Sequence, residues 1–230
     1  MSFIRAVGSG IISNLGDVRN RQQAKNKQKF FCIGRNKTGT TSLEKAFRDL
    51  RFVVGDQRRG ELLADKYYFK GDFDPIIRFC KTAQVFQDVP FSYPETYKYL
   101  DAAFPGSKFI LTIRDSPEVW YQSLTKFHTK RFGKNGKLPI GDDLLAAPYV
   151  RRGFVYNTVR LHGTPDDDPY NKEIMIDHYI KHNQAVADYF IDRPDSLLVI
   201  NVSKSDAYKK FIDFIGAESE SRDFPWENKT

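Results

Sequence analysis

The segment from Phe30 to Leu43 constrains the fold of this chain more than any other feature. It reads FFCIGRNKTGTTSL, so an apolar run leads into a loop that carries two glycines, one lysine and several hydroxyl groups. The apolar residues that follow lie at helical spacing: Leu43, Ala46, Phe47 and Leu50. The pattern predicts a strand, a phosphate-binding loop and a helix in direct succession.

The loop has the features that bind an anion. Successive backbone N–H groups and the positive end of a helix dipole converge at such a turn, and Gly34 and Gly39 permit a positive φ or a close backbone approach. The nucleoside-triphosphatase pattern GxxxxGK[ST] requires lysine directly after the second glycine, but Thr40 stands there and Lys37 precedes Gly39. A turn capped only by Thr40 or Thr41 is the alternative, and it leaves the lysine unexplained.

The order Lys-Thr-Gly-Thr-Thr, between a strand and a helix, resembles the loop of sulfotransferases that use 3′-phosphoadenosine 5′-phosphosulfate (PAPS). The resemblance implies that this loop binds the 5′-phosphosulfate of PAPS, the co-substrate, and that Lys37 acts in catalysis by stabilising charge on the departing phosphate oxygen. It implies no requirement for a metal. The donor-binding residues implied in the loop are Arg35, Lys37, Thr38, Gly39, Thr40, Thr41 and Ser42.

A second anion site is predicted at Arg114. Residues 108–113 read KFILTI, which is typical of a central parallel strand covered on both faces. Because loops after parallel strands open into one crevice, we expect Arg114 to lie near the phosphate loop; a surface ion pair with a neighbouring carboxylate is the alternative. The resemblance implies that Arg114 and Ser123 hold the 3′-phosphate of PAPS, although Gln122 stands where the family commonly has this serine.

The general base is predicted from the segment QDVP, residues 87–90. It resembles the family segment that carries a histidine base, and Asp88 takes the place of that histidine. A carboxylate can serve as base if burial and hydrogen bonding raise its pKa towards the working pH. The alternative is that Asp88 only accepts hydrogen bonds from nearby backbone groups. His128 and His162 are the fallback candidates for the base.

The rest of the chain alternates predicted strands with predicted helices, with strands at 83–86 and 197–202 and helices at 173–190 and 208–215. This predicts the α/β class, as a P-loop-type three-layer sandwich with a mainly parallel central sheet flanked by helices. We predict a basic N-terminal arm over 1–28 and a single sulfotransferase-like domain over 29–230. Its segment of about 125–171 loses periodicity and collects basic residues, which predicts a lid insertion.

Composition limits the class of protein further. No stretch approaches the ~18 consecutive apolar residues of a membrane span, so no integral membrane segment is expected. Cys32 and Cys80 fall in predicted buried elements, which indicates a reducing compartment and a cytoplasmic location. His178 and His182 have metal-like spacing, but no third ligand accompanies them, so no metal site is predicted. The net charge of +7 suits the binding of a polyanion.

These patterns predict a PAPS-dependent sulfotransferase that acts in line on a hydroxyl or an amine of a small-molecule or saccharide acceptor, and the basic lid favours an acidic or polar acceptor. A P-loop nucleotide-dependent kinase is the second hypothesis, and Mg²⁺ dependence would distinguish it. A basic nucleic-acid-binding module is the third. The sequence lacks the pattern of interleaved aromatic and basic residues that forms a nucleic-acid-binding platform, so no nucleic-acid partner is expected.

Overall fold

Four parallel strands form the centre of the molecule in a computed structural model that describes residues 18–225. They are β1 (Phe30–Cys32), β2 (Val85–Phe86), β3 (Lys108–Thr112) and β4 (Leu197–Ile200). Their spatial order is β2-β1-β3-β4, so β1 and β3 are the inner strands. The apolar run after the basic N-terminal segment and the run before Arg114 thus occupy the sheet centre, as parallel strands buried on both faces require.

Nine labelled helices join and cover these strands within the described residues. They are α1 (Thr40–Asp49), α2 (Gln57–Tyr67), α3 (Asp74–Phe79), α4 (Thr96–Ala103), α5 (Pro117–Phe132), α6 (Gly141–Ala146), α7 (Phe154–Arg160), α8 (Lys172–Tyr189) and α9 (Ala207–Ile215). Two 3₁₀ turns lie at Tyr68–Lys70 and Pro194–Ser196.

The helices cover both faces of the sheet because side chains alternate along each strand. Phe30 and Cys32 pack on one face in a core shared with α1 and α9. Phe31 and Ile33 point the other way, into a core shared with α3, α4 and α8. The predicted three-layer α/β sandwich is confirmed, and the sheet is entirely parallel in the described part of the chain.

A third apolar core lies beyond the strand ends and is built by α2, α5, α6, α7 and α8. It includes Trp120 and Leu124 of α5, Phe154 of α7 and Tyr179 of α8. The segment predicted as a lid, about 125–171, therefore contains the second half of α5 and two short helices with a core of their own.

The strand order places the predicted anion sites next to each other. The chain leaves β1 towards β2 on one side, whereas β3 lies on the other side of β1, so the strand order reverses between β1 and β3. Ligands bind at such a reversal, outside the carboxyl ends of the strands. A Cβ on Gly34 would lie 2.5 Å from the Thr112 carbonyl oxygen, so the loop after β1 passes directly against the end of β3.

The predicted N-terminal arm lies mostly outside the described residues, which begin at Val18 and leave out 1–17. Residues 18–24 are helical. Within 18–225 no helix has the length and apolar character needed to cross a membrane. Cys32 and Cys80 are both buried free thiols.

Candidate functional site

The loop between β1 and α1 contains two residues in the left-handed region of backbone conformation. Gly39, which precedes α1, has φ of 102°, and Lys37 has φ of 71°. A positive φ is uncommon for lysine, and such strain persists only where surrounding contacts impose it. The Cβ that any other residue would add at Gly39 would lie 2.3 Å from Val202 Cγ2, so the tight turn requires glycine there.

Side chains from other elements hold the loop carbonyl groups. Arg114 Nε donates to the Lys37 carbonyl at 2.7 Å, and Trp120 Nε1 donates to the Asn36 carbonyl at 3.0 Å. Thr38 Oγ1 donates to the Arg35 carbonyl at 2.6 Å. These hydrogen bonds occupy the loop carbonyls. The first N–H groups of α1 have no acceptor within the helix, and the first turn of α1 contains no acidic residue that would compete for the positive end of the helix dipole. The loop backbone is suited to an anion.

A cleft of about 290 Å³ opens at the loop and the strand ends. The residues that line it are Asn36, Lys37, Gly39, Thr40, Thr41, Ser42, Glu61, Asp88, Val89, Arg114, Leu124, Phe127, His128, Arg131, Phe132, Tyr149, Phe154, Val155 and Thr158. Of the side chains proposed from the sequence, this cleft brings together the loop lysine and hydroxyls, Asp88, Arg114 and His128.

Arg35 and Thr38 do not line the cleft, because their side chains turn into the protein. The buried Arg35 guanidinium donates to the Ser92 carbonyl at 2.6 Å and lies 3.0 Å from His162 Nε2. Burial lowers the pKa of Arg35 to about 10. Thr38 Oγ1 lies 2.5 Å from Thr112 Oγ1. These two side chains therefore support the loop from inside the protein.

Ser123 lies on α5 and does not line the cleft in the described chain. Its Oγ is buried and has no hydrogen-bond partner within residues 18–225. A buried hydroxyl without a partner costs free energy, so such a group in a native structure calls for a ligand or water that completes it.

Two cationic side chains converge at the loop. Lys37 Nζ lies 4.2 Å from the centroid of the Phe127 ring, and the Arg114 guanidinium bonds the Lys37 carbonyl. Desolvation, together with the positive charge of Arg114, lowers the pKa of Lys37, and the negative charge of Asp88 opposes this shift. Arg114 has no ion pair in the described part of the chain, since its neighbour Asp115 pairs with Lys204 instead. Both cations are therefore available to an anionic ligand.

Asp88 lies across the cleft at the end of β2 and has a left-handed φ of 59°. Its Oδ1 accepts hydrogen bonds from Asn36 Nδ2 at 2.5 Å and from the Val89 N–H at 2.9 Å. Desolvation, and next the negative charge of Glu61, raise the pKa of Asp88 to about 6, although the two hydrogen bonds act in the opposite direction. A carboxylate with this pKa is ionised at neutral pH and is a stronger base than an ordinary aspartate.

The two fallback histidines have different positions. His128 lines the cleft, and its Nδ1 lies 2.6 Å from the Tyr170 hydroxyl; burial and the charge of Lys37 lower the pKa of His128 to about 4. His162 lies outside the cleft: its Nδ1 donates to the Val159 carbonyl at 2.7 Å, and burial holds its pKa well below the usual range. Asp88 lines the cleft, as His162 does not, and its pKa of about 6 makes it more basic than His128.

The two histidines with metal-like spacing, His178 and His182, lie on α8. His182 Nε2 donates to the Ile33 carbonyl at 3.1 Å, which connects α8 to the end of β1. In residues 18–225 no group of three or more histidine, cysteine or acidic side chains is arranged to hold a metal ion.

Several cleft residues were not identified from the sequence. Asn36, which orients Asp88, lies inside the loop pattern but matches no part of it. Glu61 lies in a stretch rich in charged residues, a composition typical of a surface helix, yet it is buried on α2. The small residues Gly60 and Ala64 beside it are the signal that marks a closely packed helix face, since a Cβ on Gly60 would lie 2.9 Å from the Val89 carbonyl. Tyr149, which contacts Glu61, has no local signal.

A family model described as a sulfotransferase domain matches residues 29–230, which is nearly the whole chain. No curated protein matches the sequence.

Proposed function

The chain belongs to the sulfotransferase domain family, and we propose that it transfers the sulfuryl group of PAPS to a hydroxyl or an amine of a small-molecule or saccharide acceptor. The family covers sulfotransfer in general. The choice of donor, the site residues and the cytoplasmic location are our proposals.

The observation that carries this proposal is the placement of two cations at one opening. Lys37 and Arg114 come from the ends of neighbouring parallel strands and are joined by the hydrogen bond from Arg114 Nε to the Lys37 carbonyl. PAPS has a phosphosulfate at its 5′ end and a phosphate at its 3′ position, so it requires two separate anion contacts. A planar guanidinium suits the fixed 3′-phosphate, and a compact ammonium suits the reacting end.

The unpartnered buried hydroxyl of Ser123 also fits this donor. Ser123 lies on α5, the helix that follows Arg114, and a phosphate oxygen is an acceptor that would complete it. The residues that would hold the donor are Lys37, the backbone of 38–42, the hydroxyls of Thr40, Thr41 and Ser42, Arg114 and Ser123. When bound, PAPS supplies an activated sulfuryl group on a phosphate leaving group.

The residues of the chain then have distinct tasks. Asp88 takes the proton of the acceptor hydroxyl as the new oxygen–sulfur bond forms. Lys37, with the N–H groups at the start of α1, stabilises the negative charge that develops on the departing phosphate oxygen. The hydrogen bonds from Arg114 and Trp120 fix the loop carbonyls, so that the N–H groups are already oriented before the ligand arrives.

The test is transfer of the sulfuryl group to a mixed panel of alcohols, phenols and amines. The protein is incubated with PAPS and the panel in the presence of EDTA, and products are identified by mass spectrometry. We expect acceptors that have gained one SO₃ unit, together with an equal amount of adenosine 3′,5′-bisphosphate. Phosphorylated products formed only from ATP and Mg²⁺ would instead establish the kinase hypothesis.

A further inference from the structure

The wall of the cleft that faces away from the loop carries a buried carboxylate. Glu61 is 6% exposed, and its Oε1 accepts a hydrogen bond from the Tyr149 hydroxyl. Its Oε2 forms an ion pair with the guanidinium of Arg58 at 3.2 Å, and that arginine does not line the cleft in the described chain. Because α2 is rigidly packed at Gly60, with the Val89 carbonyl close beside it, this carboxylate has a fixed position next to Asp88.

The rest of this wall is apolar and aromatic. The Tyr149 ring centroid lies 6.3 Å from that of Phe132 and 5.9 Å from that of Phe154, and Val155 completes the surface. These separations are in the range of favourable contacts between rings, and the surface is suited to a ring-bearing molecule.

Most of the basic residues of the predicted lid do not line the cleft in the described chain. Arg131 is the one of them that lines the cleft in the described chain. Three others are paired with acids, Lys134 with Asp143, Arg151 with Asp65 and Arg160 with Asp166. The basic composition of the lid therefore contributes little positive charge to the cleft, and the acidic or polar acceptor predicted from the sequence stays a prediction.

The cleft is lined by the cations Lys37, Arg114 and Arg131 and by the carboxylates Asp88 and Glu61. In the proposed function the polyanionic donor engages Lys37 and Arg114 at the loop, so Asp88 and Glu61 are the carboxylates that lie beside the acceptor. Placing like charges together in a site that excludes water costs binding free energy and rejects the wrong ligand.

We propose that Glu61 makes the acceptor site selective for uncharged or cationic molecules with an apolar, ring-bearing body, and that it excludes acidic acceptors. The inference rests on the proposed function. In the reaction, the acceptor oxygen forms a bond to sulfur, the bond from sulfur to the donor phosphate oxygen breaks with its electron pair on that oxygen, and the acceptor proton passes to Asp88.

The test uses acceptors that share one reacting group and differ only in charge. Three phenols carry a para aminoethyl, ethyl or carboxyethyl group, and three benzyl alcohols carry the same substituents. For the wild-type protein we expect kcat/KM with the cationic and neutral members to exceed that with the acidic member by at least roughly tenfold. In Glu61→Gln this ratio should fall towards one, because the amide keeps the shape and removes the charge.

Glu173→Gln is the matched control, since Glu173 is exposed in the first turn of α8 and does not line the cleft. It should keep the wild-type ratio. Equal or faster turnover of the acidic member by the wild-type protein would overturn the inference, as would sulfation of none of the neutral and cationic members. Binding of adenosine 3′,5′-bisphosphate, measured separately by calorimetry, shows whether the proposed function itself fails. An unchanged ratio in a folded Glu61→Gln would assign the selectivity to Asp88, the other carboxylate of the cleft, and would also overturn the inference.

Discussion

At the scale of single residues, the site depends on two side chains of opposite charge in strained backbone positions. Lys37 and Asp88 both have positive φ, and each lies at the end of a strand. Burial favours the uncharged form of both side chains. It lowers the pKa of Lys37 and raises the pKa of Asp88. Strained residues that also have shifted pKa values are concentrated at functional sites.

The first prediction concerns the pH dependence that Asp88 imposes. Because its pKa in the folded protein is about 6, kcat/KM of the wild-type protein should rise with pH through a midpoint near 6, as the base loses its proton. Asp88→Asn should lose this rise and most of the activity. A pH–rate profile of the two proteins measures this, and a wild-type profile without a step between pH 5 and 7 would remove Asp88 as the base.

The same pKa predicts that the contribution of Asp88 to folding stability falls as the pH rises, whereas the activity rises. A carboxyl whose pKa is about 6 when folded and near 3.8 when unfolded binds its proton more tightly in the folded state. Its stabilising contribution is present at pH below 3.8 and is lost as the pH rises through 6. Asp88→Asn should therefore be more stable than wild type at pH 8, by up to about 3 kcal/mol, and the advantage should vanish near pH 4. Urea unfolding at both pH values measures the difference.

A further prediction separates binding from catalysis at Lys37. Lys37→Ala should lower kcat by about 10²–10³-fold, because it removes charge stabilisation that is needed mainly in the transition state. The dissociation constant of adenosine 3′,5′-bisphosphate should change much less. Lys45→Ala is the control, since that lysine is partly exposed on α1, the helix that follows the loop, and pairs with Asp49. A large loss of affinity with kcat unchanged would assign Lys37 to binding alone.

At the scale of elements, the strand, loop and helix at the start of the domain act as one unit wedged against β3. Gly34 makes this possible, because a Cβ there would lie 2.5 Å from the carbonyl oxygen and 2.7 Å from the nitrogen of Thr112. Backbone atoms inside a sheet cannot move away. The close approach also brings Thr38 within hydrogen-bond distance of the Thr112 hydroxyl.

Gly34→Ala should therefore destabilise the fold by about 1–3 kcal/mol or more through overpacking, and it should weaken donor binding because the loop is displaced from Arg114. Gly141→Ala is the control. Its added Cβ would lie 3.2 Å from the Asp166 carbonyl oxygen and 3.8 Å from Tyr156 Cε2, which is much less crowded than at Gly34, and alanine is favourable in a helix. Denaturant unfolding measures both variants. Equal stability of the two would show that the loop is not wedged against β3.

The elements also show where local patterns were insufficient. Helix α5 continues to Phe132, although its apolar periodicity was interpreted as ending near Thr125. The buried positions of α5 are Trp120, Leu124 and His128, each about one turn after the one before. Because the polar side chain of His128 occupies the third of them, the helical repeat of apolar residues cannot be seen beyond Leu124 in the sequence. Similarly, the charges of α2 hid the buried strip that contains Glu61.

At the scale of the whole molecule, the fold followed from the sequence because alternating strands and helices leave few parallel topologies. The meeting of Arg114 with the phosphate loop was expected from this topology, since the carboxyl ends of parallel strands share one crevice. Contacts between distant segments could not be predicted in this way. The bond from Asn36 to Asp88 and the bond from Tyr149 to Glu61 depend on how α2 and the α6–α7 region fold over the sheet.

Side-chain direction was the other limit on prediction. The loop pattern gave no means to tell that Arg35 turns inwards to Ser92 and His162 while Lys37 remains at the cleft. Both residues lie in the same short loop and carry the same charge. Their different directions follow from the positive φ at Lys37 and from the packing beneath the loop, which only the folded molecule specifies.

The measurement that tests the central claim most directly is the effect of nucleotides on thermal unfolding, in the wild-type protein and in Arg114→Ala. Adenosine 3′,5′-bisphosphate at 100 times its dissociation constant should stabilise the wild-type protein by about 2.7 kcal/mol, whereas AMP at the same concentration should stabilise it much less. In Arg114→Ala the two nucleotides should become nearly equivalent, because the contact to the 3′-phosphate is lost. Equal stabilisation of the wild-type protein by both nucleotides, or an undiminished preference in the variant, would contradict the account.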